Sequence, residues 1–146
     1  MEVAFHFNVS DTTAYSCRLL RKAQSHGARV TVTGPRQRLM EIDQKLWALS
    51  ATAFVPHAWS DAPAEVLVAS PIILCESLPP APQRSDTILL NAWPEVPATY
   101  EAFERVIEIV GLSEPDRAQA RQRWRTYTQA QHTLTRHDVA QTPNPP

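Results

Sequence analysis

The chain has 146 residues, 43% of them apolar, and a formal net charge of −1. That suits one domain with a real core and excludes both wholesale disorder and a polyelectrolyte character for the chain as a whole. Only three glycines occur, Gly27, Gly34 and Gly111, so neither common glycine-rich phosphate loop can be written.

Residues 3–9 (VAFHFNV) alternate and predict a strand. The start carries no basic segment or long apolar run, so no signal peptide is expected, and no stretch approaches the ~18 apolar residues of a membrane span. Ser10 and Asp11 offer an N-cap for a helix over 12–25, with Cys17, Leu20 and Ala23 on one face and Gly27 as its C′ residue. Residues 28–33 (ARVTVT) read as a β-branched strand. Gly34-Pro35 turns into a helix over 36–49 with Leu39, Ile42, Leu46 and Trp47 as its stripe. Strand, helix, strand, helix with short connections predicts right-handed βαβ units. The expected fold is therefore α/β and Rossmann-like, a mostly parallel sheet flanked by helices in a single domain.

Beyond residue 54 the pattern loosens. A polar, Pro-containing loop is expected to about residue 63. Short strands are expected at 66–69 and 72–75, a proline-rich connection at 78–85, and a buried strand at 87–91. Tyr100, Phe103, Ile107 and Val110 predict a helix over 99–110 closed by Gly111. Ser113, Pro115 and Asp116 then start a C-terminal basic helix over 114–131. The domain is expected to end at residue 131, leaving 132–146 as a flexible tail.

Enzyme chemistry finds little support. The five His show no metal-ligand spacing, no G-x-S-x-G elbow occurs, and acid pairs fall on helix faces expected to be solvated. Neither a metal nor a cofactor is expected. Cys17 and Cys75 form no C-x-x-C and read as buried free thiols of a reducing compartment. The first strand-helix turn, residues 8–12, sits where phosphates bind in such folds, yet it lacks Gly and carries Asp11.

The informative feature is charge segregation. Residues 91–116 hold six acids and one base, whereas residues 117–136 hold five Arg and no acid. Arg117, Arg121 and Arg125 recur at i, i+4, i+8, with Trp124 beside them. Such a stripe is either a solvated basic face or a site for an anionic, extended partner, nucleic-acid phosphate or acidic peptide. Trp47 and Phe54 form a second cluster, either a cap on the core or an exposed patch for a protein partner.

In order and spacing, Leu46-Trp47, Phe54-Val55-Pro56-His57, the strand Asp86-Thr87-Ile88-Leu89-Leu90 and the helical segment Ala120-Arg121-Gln122-Arg123-Trp124-Arg125-Thr126-Tyr127 resemble the chi subunit family of bacterial DNA polymerase III. The resemblance runs from the first strand to about residue 131. It implies a non-enzymatic, cytoplasmic accessory subunit with no nucleotide activity. It implies a site for the acidic C-terminal tail of single-stranded DNA-binding protein (SSB), made of Arg117, Arg121, Trp124 and Arg125 with Val110 in an apolar pocket. It also implies a contact with the psi subunit of the clamp loader, or a helicase on the same face, through Trp47 and Phe54, and association with single-stranded DNA only through SSB. Where the family often has Tyr, this chain has Trp124, and Arg117 and Arg125 stand where Lys is common. Two other readings fit the residues alone: a direct single-strand binder that stacks bases on Trp124, and a degenerate nucleotide-binding domain.

Overall fold

The computed structural model describes residues 1–49, 55–78 and 87–141. Phe54, most of the proline-rich connection and the last five residues lie outside that range. In chain order the elements are β1 (Glu2–Val9), α1 (Thr12–Ser25), β2 (Arg29–Thr33), α2 (Arg36–Leu49), β3 (His57–Trp59), α3 (Ala64–Ala69), β4 (Ile72–Cys75), β5 (Thr87–Asn91), β6 (Arg105–Gly111), α4 (Glu114–Gln129) and β7 (Thr133–Asp138), with short 3-10 turns at Tyr100–Ala102 and Val139–Gln141. The strands form one sheet in the order β3-β4-β2-β5-β6-β1-β7, every pair parallel.

Local chemistry places the helix ends. The Asp11 carboxylate accepts from the Ala14 N–H at 3.0 Å and starts α1. The Ser113 hydroxyl accepts from the Asp116 N–H at 3.3 Å, with Pro115 in the first turn of α4. Gly27 follows α1 at φ +78°, a conformation that costs glycine nothing sterically.

Connections from β1 and β2 run toward the β3 edge, whereas β6 connects toward the β7 edge. Crossovers of one hand then put α1 and α2 on one face and α4 on the other. The core divides accordingly. Cys17, Leu20, Leu39, Ile42 and Leu46 pack on Val30, Val32, Leu74, Leu90 and Ile107, while Ala120 and Tyr127 pack with Val3, Phe5, Leu89, Val106 and Val110. Each fully buried Leu or Val contributes roughly 1.5–3 kcal/mol. Both thiols are free and buried, and burial pushes that of Cys17 up to about 11.

The connections reverse direction between β2 and β5, the crevice where open α/β sheets usually bind ligands. Here the crevice is narrowed. The Ala92 N–H donates to the Thr33 carbonyl at 2.6 Å, and a Cβ on Gly34 would stand 2.7 Å from the Ala92 Cβ. The Trp93 indole N–H reaches Thr33 Oγ1 and the Glu76 carbonyl, each at 3.1 Å. A cavity of about 350 Å³ remains alongside, but Arg123 in its wall is already bound to Glu108, and Asp116 stands there too.

Four sequence expectations are corrected. Residues 99–110 are not a helix: a 3-10 turn leads into β6, between β5 and β1. The stretch RVIEIVG is a near-continuous β-branched run, the pattern of a strand covered on both faces, and its helical spacing was incidental. Residues 66–69 belong to helix α3, not a strand. The loop expected to residue 63 contains β3, three residues long, at one sheet edge. Finally, the sheet continues past residue 131: Thr133–Asp138 pairs with β1 as the opposite edge strand.

Candidate functional site

Helix α4 presents its arginines to different surroundings. Arg123 and Tyr127 turn inward to the carboxylate of Glu108, which is fully buried on β6. The Arg123 Nε donates to Glu108 at 2.8 Å, the Tyr127 hydroxyl at 2.7 Å and the Asn91 amide at 2.9 Å, while Arg123 Nη1 donates to the Pro94 carbonyl at 2.9 Å. Burial pushes the Glu108 carboxyl above its ordinary range, and the Arg123 charge and these hydrogen bonds oppose the shift. Burial and the Glu108 charge push the Tyr127 phenol upward. This network fixes the rotation of α4 about its axis.

With Arg123 inward, Arg117, Arg121 and Trp124 line a groove between α4 and the β6-β1-β7 edge of the sheet, about 490 Å³ in volume. Its floor is apolar: Phe5, Phe7, Val110, Ala120 and Trp124. The Trp124 ring meets Phe5 edge-on at 5.1 Å between centroids, and Phe5 in turn meets Tyr127 at 6.0 Å. Its rim is cationic. The Arg121 guanidinium pairs with Glu114 at 2.8 Å, both side chains largely in solvent, and holds that carboxyl below its usual range. The Arg117 guanidinium donates to Asn8 Oδ1 at 3.3 Å, and the Asn8 amide donates to Asp138 at 2.9 Å. Asn8 takes φ +63°, left-handed backbone that Asn tolerates better than most residues, where the pairing of β1 with β6 shifts register.

The structure thus brings together Val110, Arg117, Arg121 and Trp124. Arg125 is exposed on α4 and does not line the groove. Phe5, Phe7, Asn8 and Arg136 line it although sequence reasoning did not single them out. Alternation in 3–9 places Phe5 and Phe7 on one face and could have flagged them. Nothing flagged Arg136, because its strand was not recognised.

The second cluster lies on α2, across the sheet from α4. Trp47 is 55% exposed and Met40, seven residues earlier on the same helix face, is 44% exposed. The Trp47 ring stands 5.0 Å from that of His57, whose Nε2 meets the Asp43 carboxylate at 2.8 Å. Trp47 is therefore not a core cap.

On the face of β1 opposite the groove, His6 hydrogen-bonds the Tyr15 hydroxyl and lies 4.7 Å from the His137 ring. Burial, then the charges of His137 and Arg105, push it down to about 4. The unfolded chain binds this proton more readily, so stability is complete above the ordinary histidine range, near 6.5, and is lost as pH falls toward about 4. The expected loss is about 1–2 kcal/mol, moderated by partial solvent contact. Urea melts of the parent and His6→Gln from pH 7 to 4 check it; the variant should lose less stability over that interval.

Fold and groove define a class: a Rossmann-like α/β domain with its switch-point crevice narrowed and an apolar, cation-rimmed groove open on another edge. The family described as DNA polymerase III chi subunit, HolC, matches residues 1–135. A relative from Pseudomonas aeruginosa described as DNA polymerase III subunit chi is 31% identical over 123 residues, covering 84% of this chain and 82% of its own. The chain belongs to the DNA polymerase III chi subunit family, and so to the accessory subunits of the replication machinery. Among the described residues no helix is long and apolar enough to cross a membrane.

Proposed function

We propose that this chain is a non-catalytic, cytoplasmic adaptor that holds the acidic C-terminal tail of SSB in the groove and joins it to the clamp loader through psi. The observation that carries the reading is one groove combining an apolar floor with Arg117 and Arg121 on its rim. A tail of Asp residues ending in Ile-Pro-Phe has the complementary chemistry. Its terminal ring enters beside Val110 and Trp124, and its carboxylates meet the guanidinium groups. Each charge-assisted hydrogen bond of this kind contributes roughly 1.5–3 kcal/mol. Arg125, outside the groove, adds longer-range attraction only. The Trp47 and Met40 patch is the surface we assign to psi, or to a helicase using the same face. It lies across the sheet from the groove, so both partners can be held at once.

Direct single-strand binding is less well supported. Trp124 is half-buried and packs edge-on against Phe5 as part of the groove's apolar floor, rather than standing free on the surface as a base-stacking platform does. Calorimetric titration with a synthetic tail peptide tests the reading, beside a peptide lacking the terminal Phe and an oligothymidylate. Only the full peptide should bind, and its affinity should fall as salt rises. Binding of the oligonucleotide alone would overturn the assignment.

A further inference from the structure

The cationic rim of the groove carries an anion of its own. Glu114 opens α4 and lies two turns before Arg121 on the same face of the helix. Its Oε1 accepts from the Arg121 Nη2 at 2.8 Å, with the two side chains 72% and 56% exposed. Arg117, one turn into the helix, also acts on this carboxyl through its charge. Two cations of the rim therefore share one carboxylate. The nearby acids are engaged elsewhere. Asp138 holds the Asn8 amide, and Asp116 turns toward Gly111, where an added Cβ would stand 2.6 Å from its Oδ2. Glu114 does not itself line the groove, so it meets the Arg121 guanidinium from outside.

We propose that Glu114 is a built-in competitor of the groove, a carboxylate that holds Arg121 until an acidic partner displaces it and so lowers the affinity of the site. The inference rests on the peptide-binding reading given above and adds a regulatory contact to it. A carboxylate on the same helix competes at a high effective concentration, because it is tethered within reach of the guanidinium. A peptide acid that takes Arg121 therefore exchanges one ion pair for another, and the number of such pairs does not rise. The net gain has to come from the apolar floor and from further acids of the peptide. The competitor is matched to this task by its exposure. A pair in solvent is weak enough to be displaced, whereas a buried pair such as Glu108 with Arg123 would lock its arginine.

Calorimetric titration of the parent, Glu114→Gln and Glu65→Gln with one acidic, Phe-terminated peptide at low salt tests this. Glu65 lies on α3, beside the β3 edge of the sheet, so its variant repeats the change of net charge far from the groove. Glu114→Gln should bind about threefold more tightly than the parent, as the release of one surface ion pair predicts, and Glu65→Gln should match the parent. In an Arg121→Ala background there is no guanidinium to release, so Glu114→Gln should raise affinity by less than about 1.5-fold. Glu114 also places an acid in the first turn of α4, so Glu114→Gln should melt slightly below the parent. Affinity and stability then move in opposite directions, which an effect through folding would not produce. An equal gain with and without Arg121, an equal gain in Glu65→Gln, or an affinity of Glu114→Gln no higher than the parent's overturns the competitor role and leaves the peptide groove intact. Failure of the parent to bind the peptide overturns the groove reading and this inference with it.

Discussion

Glu108→Ala is expected to destabilise the fold by about 3–5 kcal/mol, as removing one partner of a buried ion pair does. The variant leaves the Arg123 guanidinium in the core without its carboxylate, and the Tyr127 hydroxyl and Asn91 amide without their acceptor. Domains of this size hold only some 5–15 kcal/mol in all, so the variant should melt far below the parent or fail to fold. Urea denaturation followed by circular dichroism measures the difference. Replacing both charges, Glu108→Leu with Arg123→Met, should recover much of the loss, since well-packed apolar side chains often replace a buried pair at no net cost. A melting temperature for Glu108→Ala close to the parent's would mean that α4 is held by its apolar contacts, and that the network does not set the outward aim of Arg117, Arg121 and Trp124.

Arg121→Ala should have the reverse profile: loss of tail-peptide affinity by about tenfold or more with little change in melting temperature. Its ion-pair partner, Glu114, is exposed like itself, and surface pairs of this kind hold little of a fold. The free acidic side chain of Glu114 left behind would further repel an anionic peptide. Calorimetry with the peptide and a thermal melt of the same sample separate the two effects. A drop in stability as large as that expected of Glu108→Ala would sink the assignment of Arg121 to the groove.

The first half of the chain and the start of α4 were legible because their signals are local. Asp11 and Ser113 cap helices in a way that short-range hydrogen bonding dictates, and Leu39, Ile42 and Leu46 repeat at the helical period and do point inward. Parallel topology followed from alternation of element types. What failed depends on tertiary partners. An acid at position 108 reads as a solvent-facing residue until Arg123 and Tyr127, on another element, are brought to it. That one residue disguised the strand β6 as an amphipathic helix. The three-residue strand β3 is too short to carry a period. In β7 only Leu134 is apolar among Thr133, Thr135, Arg136, His137 and Asp138, because an edge strand needs little burial of its own. The helical half of the groove was therefore readable from the arginine spacing, and its sheet half was not.

The place of β1 in the sheet also governs when the protein can fold. Its two neighbours are β6 and β7, so Glu2 finds its partners in Arg105 and Thr133. A nascent chain leaving the ribosome emits this apolar strand well before β6 and β7 and must carry it unpaired until both of those segments have been translated, some seconds later at ordinary elongation rates. Over that interval the α1–α2 side can assemble on β2, but the groove cannot exist, since each of its walls waits on the last third of the chain. Long-range closure of this kind makes for slow folding and a prolonged need for shielding of the strand that opens the sequence.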